Sequence, residues 1–287
     1  NTLNAVTKVE ASTLVAVGEA GTILRSVDGG LTWVAVQSGT SVALYAVAFA
    51  GPSLGIVVGE KGTILRSVDG GLTWTAAVSQ TALSLRGVAF AGSDGAAFAV
   101  GSDSVFRSAD GGQTWSLVSQ HSNYGFTGIA FADAQTGVAV SSSGRAIRST
   151  DGGASWKDVV MRNYGAMKAV AFAGPGFGVA VGVACAPILA TSTDAGESWV
   201  FHGDEGVVIL CPPQGYLAIA LPTTRLGFVV GVFPGATLRT DDGGATWAPT
   251  APSGVSVSLL GVAFINPTTG VAVGWDGVIL LTSTGGL

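Results

Sequence analysis

Apolar residues in this chain come in short runs, alternate with small or polar residues, and never recur at helical spacing. Residues 44–78 show the pattern most clearly: Leu44-Tyr-Ala-Val-Ala-Phe49, Gly55-Ile-Val-Val-Gly59, Thr63-Ile-Leu-Arg-Ser67 and Thr73-Trp-Thr-Ala-Ala-Val78. Gly, Pro and Asp separate the runs. Period-two alternation over so few residues, bounded by turn formers, predicts β-strands joined by hairpins. We label the four strands of this unit a to d.

The unit repeats along the whole chain. Its marker is Ser26-Val-Asp28-Gly-Gly30-Leu-Thr32-Trp33, which returns at 67–74, 108–115, 149–156, 192–199 and 240–247, with a worn copy from Thr282. The acids Asp28, Asp69, Asp110 and Asp151 are 41 residues apart; Asp194 follows after 43, Asp242 after 48, and Thr284 stands in the acid's place after a further 42. At this interval the 287 residues make seven units. Small twisted sheets repeated in this way bury both faces by packing radially around an axis. The expectation is therefore all-β: one domain, 1–287, forming a seven-bladed β-propeller of four-stranded antiparallel blades. The blades should span about 1–38, 39–79, 80–120, 121–161, 162–203, 204–251 and 252–287. The last blade is expected to be incomplete, because no box tryptophan or strand d follows Thr282 and little precedes strand a at Asn1. An open edge there would need a partner or a cover.

The repeated phrase suits the turn between strands c and d. Its Asp can accept backbone N–H bonds, its glycines can take positive φ, its Thr or Ser adds a hydroxyl, and its Trp can fill the space between blades. Asp28, Asp69, Asp110, Asp151, Asp194 and Asp242 are thus expected to be structural, since an element present in every blade speaks for folding rather than for a single site. The same reasoning applies to Arg25, Arg66, Arg107, Arg148 and Arg239, three residues before the acid in five blades.

S-x-D-x-G-x-[TS]-W resembles the Asp-box, or bacterial neuraminidase repeat, of sialidases and sortilin-type receptors. The longer phrase VGxxGTILRSxDGGxTW at Val17 to Trp33 and Val58 to Trp74 is similar to the photosystem II stability and assembly factor family of thylakoid lumens and its relatives in non-photosynthetic bacteria. The resemblance covers the whole chain. It implies a propeller that binds other proteins, and in that family an arginine patch is associated with partner binding.

Composition narrows the partners. With 48% apolar and 11% charged residues the chain must bury strands on both faces, and its mean hydropathy is +0.53. The net charge of −5 lacks the basic surplus that nucleic acid demands. Two long uncharged runs, 169–193 and 206–224, contain prolines and strand-like alternation, so they predict strands rather than membrane spans. No signal-like n-region and h-region leads the chain at Asn1, so an export signal is expected to have been removed or to lie outside this sequence.

Function should concentrate where the copies differ. One position at the start of strand a, just before an Ala/Gly-[VI] pair, reads Asn4, Tyr45, Arg86, Thr127, Lys168, Leu217 and Leu260. It should lie at the mouth of the central channel, on the face opposite the boxes, which we call the top. Asn4, Tyr45, Arg86 and Lys168 there would form a polar, locally positive lip that either binds a partner or is simply solvated. The strand d to strand a connections carry Tyr124, and Arg162 with Tyr164, as a protein-binding composition or as rings folded back onto the blade. Trp275 replaces Glu19 and Glu60 in the equivalent turn of blade seven and is either an aromatic contact or a loop cap. Cys185 and Cys211 both fall on top connections of the irregular region. A disulfide between them would point to an oxidising compartment, and two unrelated buried thiols are the other reading.

A sialidase-like site needs three converging arginines, a tyrosine paired with a glutamate, and an acidic Asp. Apart from the repeated row only Arg86, Arg145, Arg162 and Arg225 remain, without an Arg-Ile-Pro phrase. His121 and His202 have no metal-ligand spacing, and no G-x-S-x-G occurs. The expectation is a non-catalytic scaffold without metal or cofactor, in a periplasmic, thylakoid-lumenal or secreted setting. Its partner would be another protein, a membrane complex being one candidate; the chain itself would not span the membrane. A carbohydrate-binding propeller with Trp275 and the tyrosines as stacking platforms, or a sialidase-like glycosidase, is the alternative.

Overall fold

The structure, a computed structural model, describes residues 1–92, 94–161, 165–184, 187–202, 214–232, 237–250 and 256–285. In blade one the strands Leu3–Glu10, Thr13–Gly18, Ile23–Ser26 and Val34–Val36 pair antiparallel in chain order. Blades two to six repeat this meander, from Leu44–Ala50 to Thr75–Ala76, Gly87–Phe90 to Ser116–Gln120, Phe126–Phe131 to Lys157–Val159, Ala166–Phe172 to Val200–His202 and Gln214–Ala220 to Ala248–Pro249. Blade seven has three strands among the described residues, Leu259–Phe264, Gly270–Gly274 and Ile279–Thr282. Strand b is buried along its length in blades one, four and seven. Covered on both faces, it reads as an unbroken apolar run. The run 169–193 accordingly lies across three strands of blade five, and no helix among the described residues is long and apolar enough to cross a membrane.

One apolar cluster fills each gap between neighbouring sheets, and seven clusters close the wheel. Leu3, Val6 and Leu14 of blade one meet Val271 and Val273 of blade seven, and Lys8 Nζ donates to the Ile265 carbonyl across the same junction at 2.7 Å. Each box tryptophan packs toward the preceding blade: Trp74 between blades one and two, Trp115 between two and three, Trp156 between three and four, and Trp33 between seven and one. Burying such an indole stabilises by roughly 2–3 kcal/mol. The junction of blades six and seven lacks a box tryptophan. There Phe228 and Phe264 stack, with centroids 3.9 Å apart and planes at 13°. Their counterparts Phe98 and Phe131 stand 4.8 Å apart and tilted by 35°, each with Trp156 at 6.1 Å.

The box turns are satisfied from within. Ser26 Oγ accepts the Gly30 N–H at 2.9 Å and donates to Asp28 at 2.7 Å. Asp28 also accepts the Thr32 N–H at 2.9 Å and the Thr32 hydroxyl at 2.5 Å. Trp33 Nε1 donates to the Gly30 carbonyl at 3.0 Å. The second box glycine also sits tight against the preceding blade: at Gly112, with φ of +88°, a Cβ would stand 2.1 Å from Ile56 Cδ1.

The repeated arginines staple one blade to the next. Arg25 Nε donates to the Gly70 carbonyl at 2.9 Å, Arg66 Nε to Gly111 at 2.7 Å, Arg148 Nε to Ala195 at 3.0 Å and Arg239 Nη1 to Gly285 at 2.6 Å. Every acceptor belongs to the following blade's box. Arg107 keeps the position but not the bond; its buried Nε has no partner among the described residues, and its guanidinium lies 5.8 Å above the Phe98 ring. Blades five and six depart from the pattern by fusing their sheets through Val183–Gly215 and Ala184–Gln214 pairing.

Candidate functional site

Strand a of every blade faces the axis, and together the seven enclose a channel of about 200 Å³. The seven equivalent residues all line it: Asn4, Tyr45, Arg86, Thr127, Lys168, Leu217 and Leu260. The strand ladder explains their freedom. In six blades its register slips at this residue, between Leu3 and Ala5, Leu44 and Ala46, Phe126 and Gly128, Met167 and Ala169, Tyr216 and Ala218, and Leu259 and Gly261. In blade three Arg86 lies just ahead of the ladder that begins at Gly87–Val100. A residue bulged out of a ladder is re-aimed and released from cross-strand pairing, so its identity can vary without breaking the sheet.

These side chains do different work. Asn4 Nδ2 donates to the Leu44 carbonyl at 2.8 Å, and Thr127 Oγ1 donates to the Met167 carbonyl at 2.9 Å, so both tie neighbouring strands a together. Tyr45 donates its hydroxyl to Glu60 Oε1 at 2.9 Å, and the Arg86 guanidinium lies 4.6 Å above the Tyr45 ring. Burial, then the bond to Glu60, pushes the Tyr45 phenol above its ordinary range and keeps it a neutral donor. Lys168 is half-buried and has no hydrogen-bonding or ionic partner among the described residues. Off the axis, between Arg86 and Lys168, a second cavity of about 590 Å³ opens among Ser84, Ser102, Gly125, Phe126, Thr127 and Ser142. Its serines come from three separate connections of blades three and four, which gave no joint signal in the sequence.

Of the two readings of Tyr124, the structure shows the inward one. The ring is 6% exposed, tilts against Phe126 at 5.3 Å with Arg145 5.2 Å from its centroid, and donates its hydroxyl to Asp158 at 2.6 Å. The expectation of a surface Tyr124 is corrected: the Phe126 cluster between blades three and four covers it. Beside it, His121 Nε2 lies 2.8 Å from Ser119 Oγ and His121 Nδ1 lies 3.8 Å from Asp158. The neighbouring Asn123, Tyr124 and Gly125 N–H groups are given to the Asp103 carboxylate, so these three are not open to a developing oxyanion. Trp275 is 52% exposed on a 3-10 turn of the top face. Arg162, Tyr164, Cys185 and Cys211 lie outside the described residues. The opposite face exposes Val27, Leu31, Val68 and Leu72, apolar box residues that blades one and two alone carry as such a pair.

Solved propellers share this architecture. A structure of YCF48 bound to D1 peptide superposes with a TM-score of 0.73 at 23% identity, covering 99% of this chain and 93% of that one. YCF48 from Cyanidioschyzon merolae gives 0.73 at 19%, covering 99% and 95%. A GH74 xyloglucanase from Xanthomonas campestris gives 0.78 at 16%, covering 99% of this chain and 52% of that one. At these identities the likeness is one of fold. No curated protein matches the chain. The family model for photosynthesis system II assembly factor YCF48 matches residues 30–185, more than half of the sequence. With the repeated boxes and the closed wheel, this match identifies the chain as a member of the YCF48 assembly-factor family.

Proposed function

We propose that the protein is a non-catalytic scaffold that binds another protein across the channel mouth, in the service of assembling or stabilising a membrane protein complex. The observation that carries this reading is the lip itself. The equivalent positions of all seven blades meet there, six of them at register slips, and neither of its cations, Arg86 and Lys168, is neutralised by an ion pair among the described residues. In a chain of net charge −5, such a lip favours a partner that brings negative charge. The YCF48 that carries a D1 peptide supports a polypeptide segment as the kind of partner. Family membership supports an exported setting, thylakoid-lumenal or periplasmic.

The channel mouth does contain a tyrosine–glutamate pair with an arginine, Tyr45, Glu60 and Arg86. A sialidase-like site requires three arginines on one carboxylate, and the upward shift of Tyr45 works against a phenolate nucleophile. The exposed Trp275 favours a second reading, glycan stacking on the top face. Recovery of partners from the native membrane fraction by wild type and by Arg86→Glu/Lys168→Glu tests the scaffold reading. The double variant should lose the partner. Equal recovery would overturn the proposal, and hydrolysis of a sialoside would replace it with catalysis.

A further inference from the structure

The off-axis cavity beside the lip is chemically unlike the rest of the top face. Its volume, about 590 Å³, is in the range of binding pockets, whereas the axial channel at about 200 Å³ falls below it. Two cations stand at its ends, Arg86 and Lys168, and no carboxylate lines it among the described residues. Among the described residues the hydroxyls of Ser84, Ser102 and Ser142 have no hydrogen-bonding partner, while Thr127 Oγ1 is committed to neighbouring carbonyls. Arg86 is steadied by the Tyr45 ring. Arg86 and Ser142 are exposed and Ser84, Ser102 and Lys168 half-buried, so water serves these donors in the free protein and a ligand that displaces it must replace those bonds.

We propose that this cavity is a receptor for a carboxylate side chain, so that the partner is recognised through an Asp or Glu in an extended acidic segment laid across the lip. The inference rests on the scaffold reading and adds its chemistry. Charge-assisted bonds from Arg86 and Lys168 supply attraction, and the serine hydroxyls satisfy the remaining lone pairs of the bound carboxylate. A neutral amide of the same shape has two hydrogen-bond acceptor sites fewer and no charge, so the site discriminates Glu from Gln.

The test uses end-capped peptides, so that no terminal charge takes part: acetyl-Ser-Gly-Glu-Asp-Glu-Gly-Ser-amide and its Gln-Asn-Gln counterpart, titrated into the full chain and followed by NMR. The acidic peptide should bind saturably and the neutral one should not. Lys168→Gln and Arg86→Gln should each weaken binding on the order of tenfold, and Ser142→Ala by a few-fold. Lys61→Gln removes the same charge from the same face outside the cavity and should leave binding unchanged. Equal binding of the two peptides, no binding of the acidic one, or equal loss in Lys61→Gln and Lys168→Gln would overturn the proposal. The two readings also separate. If the acidic peptide fails while charge reversal still abolishes partner recovery, the cavity proposal falls and the scaffold stands; if the peptide binds while recovery is unaffected, the scaffold falls.

Discussion

The two ends of the wheel are built from the same strands yet spend their polar groups in opposite ways. At the box end, each Asp, Ser and Thr is consumed within its own turn, and four arginines are consumed by the next turn round. At the mouth, the equivalent position carries six different residue types over seven blades, only leucine occurring twice, and a lysine, an arginine and three serine hydroxyls remain unspent. Repetition closes hydrogen-bond accounts because each blade presents its neighbour with the same partner. Bulges open them, because a residue outside the ladder has no assigned partner. Stability should therefore respond to the box end and binding to the mouth.

Acid should break this contrast most forcibly, since it reaches all the boxes at once. The hydroxyl of Thr32, Ser155 or Thr246, followed by backbone N–H groups, holds Asp28, Asp151 and Asp242 down at about 2, below the ordinary range of an aspartate. A carboxylate whose folded value is depressed contributes stability that is complete above its unfolded value, about 3.9, and is lost as pH falls through the folded one. Urea midpoints should hold down to about pH 4 and collapse toward pH 2. A midpoint unchanged at pH 2 would remove the boxes from the account.

Single substitutions should follow in descending order. Trp156→Ala, which empties the gap between blades three and four, should cost about 3–5 kcal/mol in urea denaturation. Arg66→Met, which keeps most of the stem but loses the bond to Gly111, should cost about 1–3 kcal/mol without altering peptide binding. Arg86→Gln and Lys168→Gln should change stability by less than about 0.5 kcal/mol while weakening binding. A reversal of the last two results would mean that the arginine row binds and the lip merely supports the fold.

Much of the wheel was legible because the information recurs: strand lengths, box turns and tryptophans are written six times over, so each copy checks the others. The position of Asn4, Tyr45, Arg86 and Lys168 at the channel was legible for the converse reason, as a place in strand a where seven copies hold six different residues. The acceptors of the arginine staples were hidden, since Arg66 and Gly111 are 45 residues apart and meet only when blades two and three stand side by side. Tyr124 was ambiguous because a connection residue can turn either way, and only the Phe126 pocket decides. The serine-lined cavity could not be read at all: Ser84, Ser102 and Ser142 belong to three turns with no common motif.

A photo-crosslinking amino acid placed at one end and then the other tests the division of labour most directly. With the crosslinker at Leu260, on the channel mouth, irradiation in the native membrane fraction should join the protein to its partner; at Leu31, exposed on a box turn, it should not. A partner captured from Leu31 and absent from Leu260 would contradict the account, and would move the binding surface to the apolar boxes of blades one and two.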